Sequence, residues 1–397
     1  MKIRRTIPPS ASPFRVSDLI HGIFGSFRKN LGQEVLEGLK KYFGVNHVFL
    51  VSSGKAALVV ILTALKKIRN RKYVVIPAYT CYSVPSAVLK AGLEIKLCDI
   101  NTETLDYDYE MLENVVDDEV LCIVSTHLFG IPSNTSELKK RYGSRGIYIL
   151  EDAAQAMGGV FQNRKLGTLG DAGFFSLGRG KNINTGAGGI ILTSSEDISE
   201  SIREIYQSLH GEPLIEYIKN IFQVFFQQLF LNPSLYWFPS QLSFLKIGET
   251  IFSNNFPIYR LSNFKIGLLY QWESRLEKFN NQRSVTADYY IRNIKFPENQ
   301  RIYSSKNTYL RFPVYVNGPE EKEKFCKVNF QYGISPMYPD SINNIKDIKE
   351  KYNGLAYPGA EFVANHLITF PTHCFLKEKD KLHLAELLAS LQIEAKK

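Results

Sequence analysis

Five short, largely apolar runs fall at residues 48–51, 73–76, 94–97, 120–124 and 148–150, and a segment of helix length separates each from the next. Runs this short suit strands better than helices, and the regular alternation predicts an α/β fold with a mostly parallel sheet covered on both faces. Ligands of such sheets gather beyond the carboxyl ends of the strands. The residues that follow each run are therefore the ones to search for chemistry.

Three clusters occupy such positions. Tyr148-Ile-Leu-Glu-Asp-Ala-Ala-Gln155 ends its run in two carboxylates and an amide. An aspartate at a strand end, here Asp152, can hold a pyridine nitrogen protonated. Val51-Ser-Ser-Gly-Lys-Ala-Ala-Leu58 reads as a strand end, a turn and a helix start, whose amides together with Ser53 would face an anion such as a phosphate. It is not a nucleotide P-loop, because Phe49 stands five places before Gly54 and Ala56 follows Lys55 where Ser or Thr is required. The third cluster, residues 170–189, is rich in glycine and carries a single lysine, Lys181, between Gly180 and Asn182. Backbone there can approach a ligand closely. A buried amine at that place would lose part of its preference for charge and could form a Schiff base with an aldehyde, whereas a solvated one would do neither.

In this order the clusters resemble those of the pyridoxal-phosphate-dependent sugar aminotransferases of the DegT/DnrJ/EryC1/StrS family, over nearly the whole chain from about Gly32 onward. The resemblance implies fold type I: a mostly parallel sheet of seven-stranded type covered by helices, with a smaller α+β C-terminal domain. It implies pyridoxal 5'-phosphate as cofactor, Lys181 as the Schiff-base lysine, Asp152 on the pyridine nitrogen and Gln155 near the cofactor hydroxyl. It also implies Ser176 at the phosphate, with the amides of Gly54 and Lys55. The family commonly places an aromatic after the threonine of Pro77-Ala-Tyr-Thr-Cys-Tyr-Ser83 to stack on the cofactor; here Cys81 stands there, leaving Tyr82 or Tyr79 to stack, or the thiol to cover that face. An asparagine two places before Arg260 reaches the neighbouring subunit's phosphate in the family. Ile258 holds that position, so the contact is absent or falls to Arg260 or Asn254. His127, after its strand, belongs to a motif that lines the pocket in the family, although a lone histidine there is more often a hydrogen-bonded structural residue than a catalyst.

The rest of the chain divides around this centre. Residues 1–30, with Pro8, Pro9 and Pro13, read as an extended arm, and 31–212 as the cofactor-binding domain. Residues 213–257 are an apolar helical insertion. Within it 214–238 is rich in Phe, Leu, Ile and Tyr, but Glu216, Lys219 and three glutamines interrupt it too soon for a membrane span. A lid, a subunit contact or a helix lying on a membrane surface are its possible uses. Residues 258–300 form a long linking helix, with Ser262 as N-cap, and 301–397 the smaller domain, with strands at 309–316, 333–337 and 366–370. Arg311 and His373 lie near the junction, where either could meet an amino donor's carboxylate.

Charge and cysteine usage narrow the setting. Against 48 Lys and Arg stand 39 Asp and Glu, an excess of +9 interleaved along 397 residues; this suits a small anionic substrate such as a sugar nucleotide better than a nucleic acid. Five scattered cysteines without a C-x-x-C pair point to a reducing compartment, the cytoplasm, and to no metal. The expected reaction is a ping-pong transamination from glutamate to a nucleotide-linked keto sugar, by a homodimer as the family resemblance implies. The alternatives are a dehydratase of the same family, or a non-catalytic ligand-binding protein of a polysaccharide assembly.

Overall fold

A computed structural model of the protein describes residues 4–25, 28, 30–242, 251–293, 302–304 and 306–391. The expected domain limits at 1, 30–31, 300–301 and 397 therefore touch positions outside, or at the edge of, the described residues.

The main sheet has seven strands: β1 (His47–Val51), β2 (Tyr73–Pro77), β3 (Glu94–Cys98), β4 (Val120–Thr126), β5 (Tyr148–Asp152), β8 (Ala172–Ser176) and β9 (Gly189–Thr193). The short strands β6 (Val160–Phe161) and β7 (Arg164–Lys165) form a hairpin apart from it. The order is β1-β9-β8-β5-β4-β2-β3. Every pairing from β8 to β3 is parallel, and β9 alone runs against its neighbours β8 and β1. This is the mostly parallel α/β sheet expected. β9 was not anticipated, because its Gly-Ile-Ile-Leu-Thr follows directly on the glycine-rich stretch and reads as part of it.

The helix Gly54–Ile68 shows how composition sets these layers. Its Ala, Val and Leu side chains are buried almost all round, and Ser53 starts it by accepting the Ala56 N–H on Oγ at 3.1 Å. In the C-terminal part, β10 (Phe312–Tyr315) pairs antiparallel with β11 (Leu367–Phe370), flanked by helices Pro319–Val328, Pro358–His366 and Glu378–Ser390. The strand expected at 333–337 is reduced to one bridge, Ser335 to Thr369, since Met337 turns into left-handed backbone at φ 62°. One apolar cluster runs without a break from Ile76 and Tyr79 of the large sheet to Phe312, Ile368 and Leu388.

Two further expectations are corrected. The arm contains a helix, Val16–Gly25, and its extended residues are buried, including Ile7, Ala11 and Phe14. The helix expected from Ser262 is two helices, Asn263–Gly267 and Trp272–Asn293, parted at Gln271 with φ 48°. The break follows from a close crossing: a Cβ on Gly267 would lie 2.2 Å from the His21 carbonyl oxygen, so the first helix is pinned against Val16–Gly25. Ser262 stands at the N-cap position without a side-chain cap bond.

Candidate active site

β5 and β8 lie side by side, with Asp152 opposite Phe174, so the chain leaves both strands at the same edge. Neighbouring residues on a strand point to opposite faces. Glu151 and Asp152 accordingly part company.

Glu151 turns away from the cavity and is fully buried. It accepts N–H donors from Gly167 at 2.9 Å, Leu169 at 2.5 Å and Gly170 at 2.8 Å, and its Oε2 lies 2.9 Å from His127 Nε2. His127 Nδ1 accepts the Ser133 N–H at 3.0 Å, so the ring proton sits on Nε2 and is donated to Glu151. With both nitrogens used and no exposure, His127 belongs to the frame behind the site, which corrects its expected place in the pocket lining. Glu151→Ala leaves four buried donors without an acceptor. We expect a loss of about 3–5 kcal/mol of stability, read by urea unfolding.

Asp152 turns toward the cavity. Its Oδ1 accepts the Ala154 N–H at 3.0 Å, and among the described residues Oδ2 has no donor. Burial pushes its carboxyl above the ordinary range, against the Ala154 bond and the nearby charge of Lys181. Lys181, half-buried five residues beyond the end of β8, shows the mirror image. Burial lowers its amine, while Cys81 and Asp152 oppose that shift and Arg311 adds to it. The aspartate and the lysine therefore share one low-dielectric space. Gly180, with φ 73°, makes the turn that precedes Lys181.

The anion-binding end is built from close approach. A Cβ on Gly54 would lie 2.9 Å from the Ser176 Cβ, so glycine lets the helix start meet the end of β8. Ser53, Gly54 and Ser176 thus meet at one place, where helix amides favour negative charge. Ser176 Oγ accepts the Gly178 N–H at 3.3 Å. Lys55 lies beside them, its amine 4.3 Å from the Phe256 ring centre and lowered by burial.

On the other side stands Gln155, whose Oε1 accepts the Phe129 N–H at 3.1 Å and whose Nε2 donates to the Tyr338 hydroxyl at 2.7 Å. Tyr338 escaped the sequence reading. It is buried, its ring centre is 5.4 Å from that of Tyr79, and its acidity responds to Cys81 and Asp152. Cys81 Sγ donates to Ser83 Oγ at 3.2 Å and lies within electrostatic reach of Lys55, Lys181 and Tyr338. Tyr82 is buried, with its hydroxyl donating to the Asp340 carbonyl at 3.3 Å. Ile258 packs against the core, and the Asn254 carbonyl accepts from Lys90 at 3.4 Å.

The remaining candidates separate. Arg311 reaches the cavity half-buried, and among the described residues its one hydrogen-bond partner is the Met337 sulfur at 3.4 Å. No carboxylate among them neutralises it. Arg260 instead points outward and caps the end of helix Glu196–Ser208, donating to the carbonyls of Tyr206 at 3.2 Å and Gln207 at 2.7 Å. His373 is buried, lies 2.7 Å by Nε2 from the Pro8 carbonyl and accepts the Phe375 N–H at 3.3 Å. Both leave the substrate set, because their polar atoms are already engaged elsewhere.

Burial lowers His373 from 6.5 to about 4. Between those values the unfolded chain binds the proton and the folded one does not, so stability rises with pH across that window. Acidification from pH 7 to 4.5 should cost on the order of 3 kcal/mol through this one group, and His373→Gln should flatten that part of a melting-temperature profile.

The arm completes the site from behind. Ser10 Oγ donates to the Gly180 carbonyl at 2.9 Å, and Ser12 Oγ to the Lys181 carbonyl at 2.6 Å. Buried Arg283 donates to Ser12 Oγ at 2.7 Å, to the Ala11 carbonyl at 3.2 Å and to Asn280 at 3.1 Å. Tyr236, from the insertion, is buried within electrostatic reach of Arg311 and Arg179.

A profile of the DegT/DnrJ/EryC1/StrS aminotransferase family matches residues 28–389. Among curated relatives, the GDP-4-keto-6-deoxy-D-mannose 3-dehydratase of Escherichia coli O55:H7 is 36% identical over 40% of this chain and 42% of its own length. The GDP-perosamine synthase of Vibrio cholerae is 27% identical over 40% of this chain and 43% of its own. The matched stretch is thus less than half of either relative. Among solved structures, Helicobacter pylori PseC, an aminotransferase involved in the biosynthesis of pseudoaminic acid, superposes with a TM-score of 0.76 at 17% identity, covering 98% of this chain and 99% of its own. The Streptococcus pneumoniae putative sugar aminotransferase Spr1654 in its PMP form gives 0.75 at 18%, covering 97% of each. At such identities these two speak for the fold alone.

Proposed function

The chain belongs to the DegT/DnrJ/EryC1/StrS aminotransferase family, and from that premise we propose that it uses pyridoxal 5'-phosphate to move an amino group from glutamate to a nucleotide-linked keto sugar. The observation that carries the reading is that Lys181 and Asp152 stand within electrostatic reach of each other, beyond the carboxyl ends of adjacent parallel strands. The residues present fit the cofactor. Among the described residues Asp152 Oδ2 has no donor, and it would accept one from a ring nitrogen; glycine at 54 brings the helix start close to Ser176, where its amides would meet a phosphate.

When bound, the cofactor supplies an electron sink beside the carbon that exchanges its amine. The chain's own groups supply the rest. Asp152 would keep a proton on the ring nitrogen. Ser53, Ser176 and the amides of Gly54 and Lys55 would hold the phosphate. Lys181 Nζ, its preference for charge weakened by burial, would take a proton from the donor carbon and return it to the acceptor. The Tyr338 hydroxyl, kept protonated by burial, would remain a donor near Asp152.

Arg311 is the guanidinium we assign to the amino donor. A carboxylate one bond from the amine-bearing carbon must lie close to Lys181, and Arg311 is the cation felt there without an acidic partner. Arg311→Gln is expected to raise the KM for glutamate by about tenfold to a hundredfold and leave that for the keto sugar near its original value. Half-reactions measured separately decide this.

A homodimer in the cytoplasm is the setting we infer. All five cysteines are free, which supports a reducing compartment, and sedimentation at micromolar concentration tests the assembly. A second reading, loss of a hydroxyl from the sugar, draws on the E. coli relative. The lysine at 181 favours transfer. Incubating the protein with cofactor, glutamate and GDP-4-keto-6-deoxymannose, then identifying the product by mass, separates amine from deoxy sugar; no product from a panel of keto sugars would count against both.

A further inference from the structure

Two lysines share one aromatic ring beside the anion-binding end. Lys55 Nζ lies 4.3 Å from the Phe256 ring centre, and Lys90 Nζ lies 4.8 Å from it. An ammonium within about 6 Å of a ring centre is attracted to the ring, but that attraction cancels no charge. Among the described residues neither amine has a carboxylate partner, and Lys90 donates to the neutral Asn254 carbonyl at 3.4 Å. Burial lowers the Lys55 amine, and the charge of Lys90 adds to that. The arrangement is held by backbone rather than left to two long side chains. Phe256 packs on the large apolar cluster, and its segment is tied at both ends. The Ser253 N–H donates to Ser86 Oγ at 3.1 Å, on the helix Ser83–Lys90. The Tyr259 N–H donates to Ser52 Oγ at 3.1 Å, and its carbonyl accepts the Ser52 N–H at 2.9 Å, just past β1. The ring therefore sits between the first turn of helix Gly54–Ile68 and the last residue of Ser83–Lys90, with one amine from each.

Charge and place narrow what would neutralise this pair. Two ammonium groups call for two negative charges, and a single carboxylate would leave one amine unmatched. Lys55 follows Gly54 directly, so the pair adjoins the end of the site assigned to the cofactor's phosphate. That phosphate already has Ser53, Ser176 and the helix amides as donors. The acceptor proposed above brings a further phosphate group: the diphosphate of a nucleotide-linked sugar carries two negative charges side by side, one for each amine, and lysine meets phosphate as a point charge.

Resting on that reading of the acceptor, we propose that Lys55 and Lys90, on either side of Phe256 in the chain's fold, form the subsite for the diphosphate of the nucleotide-linked sugar. The test is calorimetric titration of inorganic pyrophosphate into the full chain saturated with pyridoxal 5'-phosphate, which keeps the cofactor's own phosphate site filled. The wild type should bind. Lys90→Gln should bind about tenfold more weakly with an unchanged melting temperature, and Lys90→Arg should recover most of the affinity. In turnover Lys90→Gln should raise the KM for the keto sugar nucleotide by a similar factor and leave the half-reaction with glutamate unchanged. A cofactor-loaded wild type that binds no pyrophosphate overturns the proposal, as does equal binding by Lys90→Gln. Pyrophosphate that binds only the cofactor-free protein, and is displaced by pyridoxal 5'-phosphate, also overturns it and gives the pair to the cofactor's phosphate. So does a dimer that Lys90→Gln dissociates, which would make an acidic group of a second copy the occupant. The titration needs no turnover, so failure of the subsite is distinct from failure of the transamination reading, which the response of the cofactor's absorbance to glutamate decides.

Discussion

Lys181→Ala is expected to lower transamination by at least ~10⁴-fold, because the amine proposed to accept and return the proton at the exchanging carbon is removed. The same variant should lose the visible absorbance that the wild type acquires with pyridoxal 5'-phosphate. Borohydride should fix the cofactor's mass on the peptide that contains Lys181 in the wild type and on no peptide in the variant. Stability moves the other way. Burial lowers the amine, so the folded protein holds its charged form at a cost, and alanine removes that cost. A melting temperature equal to or above that of the wild type, with activity abolished, is the expected pair. Retained turnover would remove the assignment and the mechanism with it.

Asp152→Asn should be nearly as damaging, by about 10²–10⁴-fold in turnover. The amide keeps the size of the side chain and its bond to Ala154, but it does not hold a proton on a ring nitrogen by charge. The sign of the stability effect again follows from burial. The carboxyl is raised in the folded state, so the folded protein binds a proton more readily than the unfolded one, and stability falls as pH rises past the unfolded value toward the folded one. The amide has no such dependence. Its unfolding profile should be flatter with pH, while binding of the cofactor, followed by fluorescence quenching, weakens only modestly because the phosphate end is intact. A variant that keeps full turnover would place the ring nitrogen elsewhere.

The sheet was legible because its signals are local. Each strand is a short apolar run, and the glycine, serine and aspartate positions that end β1, β5 and β8 carry their chemistry in their type. What escaped depends on contacts between distant parts of the chain. Tyr338 meets Gln155 across 183 positions, and no spacing rule points to it. His127 and His373 were candidates by residue type alone, and only their partners, Glu151, Ser133 and Pro8, show that their nitrogens are engaged. The helix expected to run on from Ser262 stops where packing against His21 and Gly22 intervenes, a constraint that helical periodicity does not contain. Arg260 looked like a phosphate ligand through the position of its neighbour Ile258, yet its guanidinium closes the end of a helix.

The arm that backs Lys181 has a consequence for how the protein is made. Ser12 waits for a partner 169 residues downstream, and Pro8 for one 365 residues downstream. On a ribosome Pro8 and Ser12 are thus made long before the partners that fix them, and the arm does not take its place behind the site until residue 373 has emerged. Activity in a pulse-labelled translation reaction should lag behind the appearance of the sheet, with Lys181 settling only after the distant histidine has arrived.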